Sequence, residues 1–276
     1  MIINYKNSLG ESIKLNADGI MIKSANFAEN EWGYTLKRNG AGACVNEFTK
    51  NEKIIELKLA IKGTAERKRE ILEEIYRIME KDIYLKKSGK LLMNDEYIEC
   101  FAVYTNVDTD KFFINEEIKF LCPDATWIKE KKYEFKKDTQ EKELGDLDCP
   151  FDTPFDLLGD EKGTGKIEVK HYFDCDFKMI VYGPCLNPRV VIGDNAYEVK
   201  TVLEKGEYLT IDTNNGTIVR TQNSGVEVNE FNNRVTEQNS PFEKIKNGIN
   251  LVSWNGSFGF DVILYIKRSV QTWKDL

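Results

Sequence analysis

The chain reads as a mainly β protein with one α-helix, and three features predict it. The stretch "EKIIELKLAI" (52–61) alternates apolar and polar residues through Ile55, Leu57, Leu59 and Ile61, the pattern of a half-buried strand. One segment, "GTAERKREILEEIYRIMEKD" (63–82), changes period: Ile71, Leu72, Ile75, Ile78 and Met79 recur on a single helical face. From Lys166 onward, short apolar runs alternate with Gly/Asn turns, as in a sandwich or barrel.

At the N-terminus, "MIINYKNSLGESIKL" sets two apolar runs around Asn7-Ser8-Leu9-Gly10, a hairpin with turn chemistry. Strands are expected near 19–24, 32–38 and 52–61. Gly63 frees the entry to the helix and Thr64 is its expected N-cap. The run Arg67-Lys68-Arg69 is interleaved with Glu66, Glu70, Glu73 and Glu74, which makes it a solvated face with i,i+4 pairs and not a nucleic-acid patch. Beyond it, "KDIYLKK" (81–87), "KLLMNDEYIECFAVYTNVDTD" (90–110) and "FFINEEIKFLC" (112–122) read as strands broken by polar turns.

In "IKFLCPDATW" (118–127) the alternation runs to Leu121. Pro123 then removes a backbone donor and restricts Cys122, so the strand stops or reaches an edge. Asp124 suits a turn, Trp127 offers a large ring for the seam between two halves, and Cys122 is a small packed hydrophobe. A length of 276 residues favours two domains, expected at 1–128 and 129–276. Residues 138–162, acidic and carrying Pro150 and Pro154, read as a long loop or linker. In the all-β half, Asn214-Asn215-Gly216 within "LTIDTNNGTIVR" is the strongest single hairpin signal.

Composition narrows the function. A net charge of -7 argues against a chain whose main work is gripping phosphate backbones. "MIINYKNSLG" turns polar too soon for a signal peptide, and no run approaches the roughly 18 apolar residues of a membrane span. The six cysteines form no C-x-x-C pair and are expected to remain thiols. The single histidine, His171, expected on the polar face of strand 166–173, rules out zinc sites built on several histidines. "GDEKGTGK" misses the spacing of a phosphate-binding loop by one residue, and Ile167 stands where a hydroxyl should bind magnesium. "IDTNNG" places Gly216 one position too early for a calcium loop. Asp146, Asp148, Asp152, Asp156 and Asp160 could supply carboxylates, but nothing fixes their geometry. No catalytic, cofactor-binding or metal-binding residue is assigned, and the chain is not expected to be an enzyme. A saccharide-binding module is the alternative, with Trp254 of "SWNGSFGF" as the candidate stacking platform beside Phe258 and Phe260.

The order of these landmarks resembles the distal tail protein of siphophage-type tails. The resemblance rests on the opening "YKNSLGESIKL", the border "FLCPDATW", the G-x-x-x-N-P segment in "YGPCLNPRVVI", the "GEYLTIDT" hairpin followed by "GVEVNEF", and the closing "GINLVSW". It spans nearly the whole chain. Ala125 departs from the proline usual after the aspartate, and the acidic 138–162 stretch is long. The resemblance implies an N-terminal α+β ring-forming domain, sandwich- or split-barrel-like, and a C-terminal galectin-like antiparallel β-sandwich projecting outward. It also implies a structural role in a phage, prophage or tail-like particle: a homo-hexameric ring at the virion tail tip joining the tail tube to the tip or baseplate hub. The implied partners are further copies of the chain, the tail tube protein and the hub, and beyond these the tape-measure protein, a receptor-binding protein or a host surface glycan. Assembly would take place in the bacterial host cytoplasm, with no membrane and no specific nucleic-acid binding.

Overall fold

The computed structural model describes residues 2–40, 42–110, 112–137, 163–236 and 239–272. The expected acidic linker 138–162, with its aspartates and Cys149, lies outside them, as does half of the "GDEKGTGK" stretch. Among the described residues the chain is mainly β with a single α-helix, and it divides into two compact units, residues 1–129 with 267–276 and residues 130–266.

The first unit opens with the hairpin β1 (Ile3–Lys6) and β2 (Ser12–Lys14). Asn7 organises its turn: its side-chain oxygen accepts from the backbone N–H groups of Leu9 and Glu11, and Gly10 takes a φ of 90°. Next come β3 (Ile20–Ala25), β4 (Gly33–Asn39), β5 (Gly42–Thr49) and β6 (Lys53–Ile61). In β6 the alternation read from the sequence is realised, with Ile55, Leu57, Leu59 and Ile61 fully buried.

Helix α1 (Ala65–Leu85) starts where the sequence places it, with the Thr64 hydroxyl oxygen accepting from the Arg67 N–H at 3.2 Å. It ends later than expected. The stretch "KDIYLKK", read as a strand, is its last turn and left-handed cap at Lys86 (φ 54°). The cause is Asp82, fully buried one turn beyond Ile78 and Met79, which accepts from the Tyr5 hydroxyl at 2.6 Å and the Ser8 N–H at 2.8 Å. Those two bonds fasten the helix to the opening hairpin, and a helical turn is needed to present the carboxylate. The Lys87 N–H then returns to the Asp82 carbonyl and closes the helix.

After the helix come β7 (Gly89–Met93), β8 (Glu96–Thr109), β9 (Ile114–Cys122) and β10 (Trp127–Phe135). All pairings here are antiparallel, in the order β3-β6-β9-β8-β7-β1-β2. The residues of β8 up to Cys100 pair with β7 and those from Phe101 onward pair with β9, and a bulge between Ala102 and Tyr104 interrupts the β9 pairing. The apolar stripe of α1 (Ile71, Ile75, Ile78, Met79) joins the inward residues of these strands in one core. Each such side chain contributes about 1.5–3 kcal/mol on burial. Trp127 belongs to this core and not to a seam: its ring meets Phe27 edge-on at 6.4 Å.

The second unit holds two antiparallel sheets. One runs β11 (Gly163–Val169), β20 (Gly248–Trp254), β14 (Arg189–Ile192), β15 (Asn195–Glu198). The other runs β19 (Glu227–Asn229), β18 (Thr217–Thr221), β17 (Tyr208–Asp212), β12 (Asp176–Tyr182), β21 (Phe260–Arg268). The short β13 (Cys185–Leu186) and β16 (Val202–Leu203) pair separately. Inward residues of both sheets, among them Ile167, Val190, Val252, Phe177, Leu209 and Val262, form a single second core, so the unit is a sandwich. The Asn214-Asn215-Gly216 hairpin forms as read, with Asp212 accepting from the N–H groups of Asn214 and Asn215. At the G-x-x-x-N-P segment only glycine fits: a Cβ on Gly183 would lie 2.1 Å from the Glu204 carbonyl oxygen.

Candidate assembly surface

Strands β4 and β5 pair with each other and with no other described strand. Every described side chain of the pair is exposed apart from Gly33 at its base. The register sets Tyr34 opposite Phe48 and Leu36 opposite Val45, with a bulge between Thr35 and Leu36. Tyr34 is 61% and Phe48 62% exposed, and Leu36, Val45 and the adjoining Trp32 are about half exposed. An isolated two-stranded hairpin is marginal in water, and clustered exposed apolar side chains mark interaction surfaces. The arm thus has the features of an interaction surface. A depression of about 550 Å³ at its base is lined by Glu29, Glu31, Glu52 and Lys53, a charged margin to an apolar finger.

The outer half of β8 continues the theme. Val103, Tyr104 and Val107 are exposed, and Phe112 stands out at the turn toward β9, where Lys68 donates to its carbonyl. The sequence reading placed a strand at 32–38 but missed β5. "GACVNEFT" is exposed along its whole length, so no alternation between core and solvent marks it.

The residues considered for chemistry are scattered. His171 lies past the end of β11, in a turn and not on a strand face. Its ring stacks on Tyr172 at 4.3 Å and its Nδ1 accepts from the Phe173 N–H, contacts that organise the turn. Among the described residues no group of three His, Cys, Asp or Glu side chains is placed to hold a metal ion.

Trp254 requires a correction. It is 5% exposed, and its indole N–H donates to the Phe258 carbonyl at 3.0 Å. Its ring meets Phe135 at 5.7 Å and Phe260 at 5.1 Å, both edge-on, and the Gly163 backbone covers it so closely that a Cβ there would sit 2.5 Å from the ring. No face remains for a sugar. The signal was legible: Asn250, Val252 and Trp254 are alternate residues of β20 and all point inward.

One carboxyl group is electrostatically unusual. Glu116 in β9 is buried, and burial pushes its pKa up to about 7 against the lesser opposing effect of the Tyr76 hydroxyl, which donates to it at 3.1 Å. The native state thus holds a proton that the unfolded chain releases near pH 4.5. Stability from this group is complete below that pH and is lost as pH rises toward 7. The expected result is that the Tm of the natural chain, relative to Glu116→Gln, falls between pH 5 and pH 7.5. A difference that stays flat or rises with pH contradicts the assignment.

No family model matches the sequence, and no curated protein does. Solved structures match across the full length. The Dit protein of phage SPP1, described as a paradigm of the hub adsorption apparatus in phages infecting Gram-positive hosts, has a TM-score of 0.60 at 8% identity, over 97% of this chain and 100% of that one. A chain of the phage P2 baseplate in its activated conformation with calcium has a TM-score of 0.63 at 13% identity, over 98% and 99%. The corresponding strontium structure gives 0.62 at 14% identity, over 98% and 100%. The chain shares the fold of these proteins.

Proposed function

We propose that the chain is a structural, non-enzymatic component of a phage or phage-like tail tip. In this reading residues 1–128 form a closed homo-hexameric ring that joins the tail tube to the tip or baseplate hub. Residues 129–276, the galectin-like sandwich, carry outward contacts. The observation that carries the reading is the β4–β5 arm, an exposed apolar finger that pairs with no other described strand. The fold shared with tail-hub proteins supports a neighbouring tail component as what it meets.

A ring needs a heterologous interface, one patch on each copy meeting a different patch on the next, with a rotation that closes. The arm supplies the first patch; the exposed end of β8 and β9 offers strand backbone and apolar side chains for the second. Native mass spectrometry and light scattering of the full chain, alone and with a tail tube protein, test this. Closed oligomers of fixed copy number are expected. A strict monomer at high concentration that binds neither a tube nor a hub protein overturns it.

A further inference from the structure

Two cysteines of the first core face each other across neighbouring strands. The β8–β9 ladder pairs Ala102 with Phe120 and, as its end pair, Phe101 with Leu121; the same antiparallel register continued by one residue sets Cys100 opposite Cys122. Both side chains are fully buried in the same core, on the face shared with Phe120. The two thiols lie close enough to act on each other electrostatically. Directly opposed residues of an antiparallel pair have Cα atoms about 4.5–5.5 Å apart, inside the roughly 4.4–6.8 Å range of disulfides.

We propose that Cys100 and Cys122 are a dithiol poised to close as a cross-strand disulfide, a covalent staple at the point where β9 ends and the Pro123-Asp124 border begins. With a low-molecular-weight disulfide RSSR the chemistry balances in two exchanges. One cysteine thiolate attacks RSSR, forming a mixed disulfide and expelling RS⁻. The second cysteine thiolate attacks the mixed disulfide at the protein sulfur, forming the Cys100–Cys122 bond and expelling another RS⁻. The two thiol protons pass to the two RS⁻ leaving groups, and RSSR takes up both electrons.

Burial sets when this can happen. Desolvation is the largest effect pushing the Cys100 thiol above its ordinary range, and the Cys122 thiol adds to it. The thiolate is therefore scarce while the core is closed, and no reagent reaches either sulfur. The staple forms as the chain folds or when β8 and β9 part. Once formed, the same burial shields it from reductant. Of the other described thiols, Cys44 is exposed on the arm, and Cys175 and Cys185 lie in the second unit.

The test uses the full chain, reduced, then held in a glutathione/glutathione-disulfide buffer with enough urea to populate opening of the first unit. Alkylation and peptide mass mapping are expected to show a Cys100–Cys122 linkage, with two fewer titratable thiols and a higher urea midpoint than the reduced protein. Cys44→Ala should retain both the linkage and the shift, and Cys100→Ala should lose both. Mapping on the unsubstituted chain stands even where Cys100→Ala folds poorly. Retention of all thiols after oxidative cycling, or linkages scattered over other cysteine pairs, overturns the proposal.

Discussion

Replacing residues 33–49 with a two-residue Gly-containing turn is expected to leave a folded chain that does not form the proposed rings. Neither hydrophobic core contains a residue of this segment, so the thermal transition should stay within a degree or two of the natural chain. Association should collapse. Tyr34, Leu36, Val45 and Phe48 are the exposed apolar anchors of the arm, and truncating a true interface anchor costs on the order of 2 kcal/mol or more. Losing two of them corresponds to about 4 kcal/mol, roughly a thousandfold in affinity. Tyr34→Ser with Phe48→Ser should reproduce most of that loss without shortening the chain. Sedimentation velocity at several concentrations reads the outcome. Rings of unchanged stability in the shortened chain would show that the arm is not the contact.

Trp254→Ala is expected to lower the stability of the second unit by about 3–5 kcal/mol, the range for deleting a large buried aromatic. The ring fills the space between Phe135, Phe260 and the Gly163 backbone, and its N–H satisfies the Phe258 carbonyl, so truncation leaves both a void and an unpaired acceptor. Urea unfolding followed by near-ultraviolet circular dichroism measures it. A loss below about 1 kcal/mol would mean that the site collapses onto itself, against the packing described above. The result also bears on glycan assays: a drop in retention by this variant would report a damaged sandwich and not a missing sugar contact.

What the sequence revealed, and what it hid, follows from where each signal resides. The opening hairpin, β6, the start of α1 and the β17–β18 turn were legible because their information is local: an Asn–Gly turn, strict alternation, a Thr cap. The end of α1 was not, because Ile83 and Leu85 alternate with charged and aromatic residues like a strand, while the carboxylate that prolongs the helix finds its partners 77 and 74 residues away. Strand β5 was missed for the opposite reason: with no core to face, its residues carry no burial pattern. Tryptophan placement was harder again. Trp127 and Trp254 looked like a seam residue and a binding platform, and both proved to be interior, each packed edge-on against a phenylalanine distant in sequence.

The arm also sets terms for the chain before it meets any neighbour. Lys37, Arg38 and Glu47 are exposed among its apolar residues, and charges in such positions keep a free strand pair dissolved while disfavouring indiscriminate stacking of one sticky finger on the next. The same arm that exposes apolar side chains thus carries its own charged safeguard against clumping.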